Sequence, residues 1–136
     1  MSVGCAGALQ ASVYARLAGD AALTALVGDA VFDGVPPGPV PPLYVSLGDG
    51  AVRDRSDVTG AGADHRFTVS IVTADAGFAE AKATAAAVGD ALVGADLALS
   101  RGTLVYLRFE RATARRVARG RIRRIDLTFV ARTADD

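Results

Sequence analysis

The stretch that most constrains this chain runs thirty residues, from His65 to Gly94, and reads as one half-buried strand, one turn and one narrow apolar helix. In HRFTVSIVT, Phe67, Val69 and Ile71 alternate with Arg66, Thr68 and Ser70, the period of two that marks a sheet with one wet face. Only Val72, at the far end, breaks the alternation. Asp75 stands at an N-cap position, and Phe78, Ala81, Ala85, Val88 and Leu92 follow at spacings of three, four, three and four. A stripe that narrow can lie on the apolar face of the strand, so the pattern predicts two packed layers. Almost none of these side chains suits chemistry, which points to a structural part rather than an enzyme.

The 136 residues fit one domain, 1–136. A domain of that size buries roughly two-thirds of the surface its unfolded chain exposes, enough for a core without staples. The longest apolar run is far below the ~20 residues of a membrane span, and MSVGCAGALQ has no basic segment leading into an apolar one. The expectation is an untargeted, cytoplasmic protein that makes no use of a membrane. Cys5 is the only cysteine, which excludes an intrachain disulfide and a thiolate cluster for a metal.

Charge is balanced in total but not along the chain. Residues 1–100 hold five basic groups against eleven acidic ones, and residues 101–136 hold ten arginines against Glu110, Asp126, Asp135 and Asp136. A neutral total argues against a dedicated nucleic-acid binder, which carries a clustered basic face and a high pI. The asymmetry instead suits contact with a partner or a sister copy. Arginine outnumbers lysine fourteen to one; its planar fork favours interfaces, although a coding bias that also inflates alanine explains the excess at least as well.

Along the chain, Leu9, Val13 and Leu17 mark a first helix over Ala6 to Leu17. Gly19 and Asp20 break it, Asp20 caps a short second helix with Leu23, Leu26 and Val27 inward, and Gly28 ends that helix. Ala30 to Phe32 reads as a short strand or an extended crossing. All five prolines follow in GVPPGPVPP, a stiff connector that lacks most of its donors. Leu43, Val45 and Leu47 open a strand, after which Gly48 to Asp64 reads as one long flexible loop, well beyond the usual connection of about 4–6 residues. Two last strands, Leu104 to Glu110 and Arg121 to Arg132, face each other across the turn residue Gly120 as an antiparallel hairpin. Val105, Leu107 and Phe109 are expected on one face of the first, and Ile122 out of step with Ile125 suggests a bulge near Arg123 and Arg124 in the second. The predicted fold class is α+β: a mainly antiparallel sheet of about four to five strands with helices on one face.

The search for chemistry finds little. His65 is the single histidine, no serine sits in a nucleophile elbow, and no glycine pattern combines with the lysine and hydroxyl of a phosphate loop. No catalytic residue, cofactor site or metal site is expected. Asp49, Asp54, Asp57 and Asp64 fit no EF-hand spacing, and Arg53 and Arg55 oppose a cation among them. The remaining candidates are contact residues: Arg53, Asp54, Arg55 and Asp57 in the loop, and Arg111, Arg115, Arg116, Arg119, Arg121 and Arg123 around the hairpin. Without interleaved aromatics these arginines do not read bases.

Four segments, PPLYVSLGD, HRFTVSIVTADAGFAEAKATAAAVGDAL, TLVYLRFERATARR and GRIRRIDLTFVAR, in this order, resemble the small tail-terminator or tail-completion proteins of long-tailed phages and gene transfer agents. The likeness covers most of the chain; Ile71, Val72 and Thr73 stand where a tryptophan–serine pair is common in that family. The resemblance implies a homo-oligomeric ring, commonly a hexamer, assembled in the cytoplasm and then part of a phage-like particle at the head–tail junction. It also implies three neighbours: the major tail tube protein, whose growth the ring stops, the head–tail connector or stopper protein, and DNA passing through a channel without sequence-specific binding. A ring uses head-to-tail interfaces, for which segregated opposite charge along one chain is well suited. The alternative reading is an adaptor domain that binds a peptide or protein partner at a sheet edge.

Overall fold

The structure, a computed structural model, describes residues 3–57, 60–74 and 78–135. Its elements in chain order are α1 (Ala6–Ala18), α2 (Ala21–Val27), β1 (Val31–Asp33), β2 (Leu43–Asp54), β3 (Gly62–Thr73), α3 (Ala79–Leu92), β4 (Thr103–Val117) and β5 (Ile122–Ala134). The five strands form one sheet in the order β1-β2-β3-β5-β4, antiparallel throughout except for β1, which runs parallel to β2. The expected α+β architecture is therefore the one observed.

Each helix follows from its apolar spacing. Leu9, Val13 and Leu17 are the buried line of α1. Asp20 accepts a hydrogen bond from the Leu23 amide at 3.0 Å and so satisfies one orphan donor at the start of α2. Leu23 is fully buried and Val27, one turn on, packs beside it, but Leu26 is exposed, contrary to the reading that turned all three inward. Positions 23 and 27 lie almost in line on a helix and position 26 is swung to one side, past the margin of the core. In α3 the buried set is Ala81, Thr84, Ala87, Val88, Ala91 and Leu92. This face is wider than the stripe predicted, because α3 touches α1 and α2 as well as β3, β4 and β5. Its alanines let those neighbours come close, and the buried Thr84 hydroxyl is satisfied by donating to the Glu80 carbonyl one turn back. The cap expected at Asp75 lies outside the described residues.

Strand β3 is the spine of the sheet. Its pairing with β5 is continuous from Gly62 opposite Ala134 to Thr73 opposite Arg123. Phe67, Val69 and Ile71 face the helices as the alternation requires, with Ile125, Leu127 and Phe129 of β5 beside them. Phe129 is completely buried, stacked on Phe67 at 5.6 Å between ring centres and met edge-on by Phe109 at 5.9 Å.

Three expectations are corrected. The segment 48–64 is not a single loop: β2 continues to Asp54 and β3 begins at Gly62, leaving a short turn closed by a bridge between Asp57 and Gly60. Glycine and charge there disguise a strand whose side chains are exposed and so lack an apolar period. The hairpin is present, but β5 stays in register through Arg123 and Arg124; the irregularities lie on β4, between Leu104 and Tyr106 and between Phe109 and Arg111. In consequence the single face expected for Val105, Leu107 and Phe109 holds for two of them: Leu107 and Phe109 lie opposite the buried Ala131 and Phe129, while Val105 falls in the first irregularity and is 59% exposed.

Candidate functional site

The sheet has one face against the helices and one that, among the described residues, no helix covers. On that outer face, side chains from neighbouring strands meet as charged and hydroxylic pairs fixed by the registers. Ser70 and Asp126 are cross-strand partners, and the Ser70 hydroxyl donates to the Asp126 carboxylate at 2.6 Å. Arg124 Nε donates to the same oxygen at 2.9 Å, its Nη2 reaches the Ser70 hydroxyl at 3.1 Å, and Arg115 on β4 stands 3.4 Å from the second oxygen. Burial alone would push the Asp126 carboxyl up; the Ser70 and Arg124 hydrogen bonds outweigh it and hold the group below the usual carboxylate range.

Further along, Arg132 donates to Asp64 across the β3–β5 pair at 2.5 Å, and Arg55 reaches the same carboxylate at 2.9 Å. The Arg132 hydrogen bond, helped by that from Arg55, lowers the Asp64 pKa to about 2. Arg66 grips Glu110 with two hydrogen bonds of 2.8 and 2.7 Å, and the carboxylate is held below its ordinary range in turn. Between these clusters lies an open recess of about 610 Å³, lined by Tyr44, Ser46, Thr68, Arg111, Arg124 and Asp126 among others. Its acid is held ionised by hydrogen bonds and arginines, an arrangement that fixes charge instead of moving protons.

The residues singled out in the sequence do not gather at one place. Arg53, Asp54, Arg55 and Asp57 sit where β2 gives way to β3; Asp54 accepts from the Ser56 amide and hydroxyl, and Asp57 accepts from the Gly60 amide. The β3–β5 register puts that turn at one end of the sheet and the β4–β5 turn at the other. Arg119 and Arg121 lie in or beside this second turn, and Arg116 and Arg123 pair across the hairpin next to it. The Arg123 guanidinium also stands 5.7 Å over the ring of Phe78. Arg111 and Arg115 occupy the outer face between the two ends. The acids Asp64, Glu110 and Asp126 organise that face, yet nothing in their spacing announces it: Asp64 and Asp126 find partners through the pairing of β3 with β5, and Glu110, in the irregularity of β4, reaches across β5 to Arg66.

His65 is 3% exposed, on the helix side, with Nε2 2.9 Å from the Thr133 hydroxyl. Burial lowers its pKa, with Asp64 partly opposing the shift. Cys5, whose neighbours are Thr133, Asp135 and Arg101, is buried too, and burial pushes its thiol up, away from the reactive thiolate. Among the described residues no three His, Cys, Asp or Glu side chains come together to hold a metal ion, and no helix is long and apolar enough to cross a membrane.

Residues 11–134 match a protein family described as Tail completion protein gp17. Among solved structures, a chain of the one described as "Virion of native gene transfer agent (GTA) particle" is similar at 63% sequence identity and a TM-score of 0.93, covering 98% of this chain and 99% of that one. No curated protein matches.

Proposed function

Because the chain belongs to the tail completion protein family, we propose that it is a structural component of a phage-like particle, a ring of six copies at the head–tail junction. The ring caps the tail tube, ends its growth, joins it to the head connector and leaves a channel through which DNA passes without base recognition. The observation that carries this reading is the likeness, over nearly the whole of both chains, to a chain of a gene transfer agent virion.

The geometry supports the reading in two respects. Charged groups lie at both ends of the sheet, Arg53 and Arg55 at one and Arg116, Arg119 and Arg121 at the other, so a single copy has contacts to offer two different neighbours along a tail axis. The outer face carries ion pairs in which Asp64, Glu110 and Asp126 are held below the usual carboxylate range and so stay charged, which suits a scaffold. Assembly in the cytoplasm needs no targeting step.

The test is to delete the coding sequence in a cell that makes the particles and to image what accumulates. Tails of uncontrolled length and heads without tails are the expected outcome; particles of normal shape and normal transfer of DNA would overturn the reading.

A further inference from the structure

The sheet has two open margins. β4 is a border strand along all fifteen of its residues. On the opposite side β1 covers β2 only from Val45 to Leu47, which leaves Gly48–Asp54 as a second free edge. The two edges lie at the same height: Gly50 is opposite Phe67, Phe67 opposite Phe129, and Phe129 opposite Phe109. Both strands are irregular at that level, β2 between Leu47 and Gly50 and β4 between Phe109 and Arg111. Bulges bend a strand, so the two upper halves part from the lower sheet at one row.

Exposed apolar side chains concentrate on these two stretches. Among the described residues, the large hydrophobics exposed on strands are Val52 on β2 and Val105, Tyr106 and Phe109 on β4. Val52 pairs with His65 and Phe109 with Phe129, both buried on the helix side, so both side chains stand at open margins of the apolar layer. Beside Val52 runs a groove of about 220 Å³ between α1 and β2, lined by Leu9, Val13, Ala51, Val52 and Phe67. The lower half of β4 is guarded by Arg111, Arg115 and Arg116, the charges that keep stray strands off an edge, whereas Thr103–Phe109 carries Arg108 alone.

Resting on the ring reading above, we infer that neighbouring copies join edge to edge. Thr103–Phe109 of one copy adds to Gly48–Asp54 of the next, and Phe109 seats in the groove beside Val52. The occupant is a second copy because the two edges complement each other. β2 and β4 run in opposite directions within the sheet, so continuing the sheet from β4 into the next β2 makes an antiparallel pair. Asp49 on one edge and Arg111 on the other both lie at the row of Thr68 and Thr128 on the outer face, so the contact brings opposite charges together. Such a contact joins different patches on the two partners, so it repeats head to tail, as a ring requires and a two-fold dimer does not.

The experiment uses the full chain with Cys5→Ser. Val52→Cys and Val105→Cys proteins are mixed and treated with a short bis-maleimide linker, which tolerates a one-residue error in register. Mixed dimers are expected, with few dimers of either protein alone, and a chain carrying both cysteines should give a ladder ending at the ring. Val105→Arg should raise the concentration needed for assembly about tenfold or more, the weight of one central interface residue, with circular dichroism unchanged. If native mass spectrometry shows a ring but no mixed cross-link forms, the edge contact is overturned while the ring stands. A chain that stays monomeric at every concentration overturns both.

Discussion

His65 shows how one side chain ties the fold to its medium. Buried and uncharged in the folded protein, it has a pKa below the 6.5 of the free group, so the unfolded chain binds the extra proton. Stability is therefore fully present above pH 6.5 and is lost as the pH falls below it, until the folded group titrates as well. Replacing His65 with Gln, which keeps a hydrogen-bonding partner for Thr133, should flatten the pH dependence of the melting temperature just below that value; an unchanged slope would mean that the imidazole charges without cost. Asp64 acts in the other sense: with a folded pKa of about 2 against 3.8, its contribution holds above pH 3.8 and disappears between those values. At the β4–β5 turn, Ala118 and Arg119 adopt φ of 52° and 59°, a left-handed conformation that glycine takes more easily. Ala118→Gly should stabilise the protein by about 0.5–1 kcal/mol in urea denaturation. In the core, Phe129→Ala removes the ring that Phe67 and Phe109 both touch and should cost about 3–5 kcal/mol by the same measurement.

At the scale of elements, period and burial decided what the sequence made legible. α1, the middle of β3 and the closing hairpin each bury one face, so Leu9, Val13 and Leu17, or Phe67, Val69 and Ile71, announce them. The second half of β2 buries nothing, and a strand held by backbone hydrogen bonds to a single neighbour leaves no apolar signature. The displaced bulge has a similar origin: Ile122 lies off the apolar face because it closes the hairpin opposite Val117, not because β5 kinks. The outer face was legible as polar, but its pairs were not, since Asp64 with Arg132 and Ser70 with Asp126 are neighbours only once β3 is laid beside β5. Hydrogen exchange should report the difference between these segments. Amides of Gly48–Asp54 and of the adjoining turn are expected to exchange faster than those of Phe67–Thr73 in the free protein and to slow on assembly. Equal protection in both states would contradict a free edge that later finds a partner.

For the whole molecule, the charge imbalance along the chain becomes a spatial one. The arginine-rich last quarter supplies β4, β5 and the turn between them, while the acidic first part supplies the helices, β3 and the opposite margin, β1 and β2. Arg115 is already committed to Asp126 within the chain, so the informative reversal is Arg116, Arg119 and Arg121 to Glu together. That variant should fold normally and yet fail to complete particles, with loss of stacking onto neighbouring rings visible by electron microscopy; normal particles would remove these residues from the contact. The connector from Gly34 to Pro42 has a consequence here as well. On this flank the border strand β1 is only three residues long, and Pro36, Pro37, Pro39, Pro41 and Pro42 of the connector after it bring no amide hydrogen, so it offers little for a foreign strand to grip. With the lower flank thus blunted, a sister molecule has one height at which to dock, and a growing row that admits a single alignment is steered to a hoop of defined circumference instead of a ragged pile.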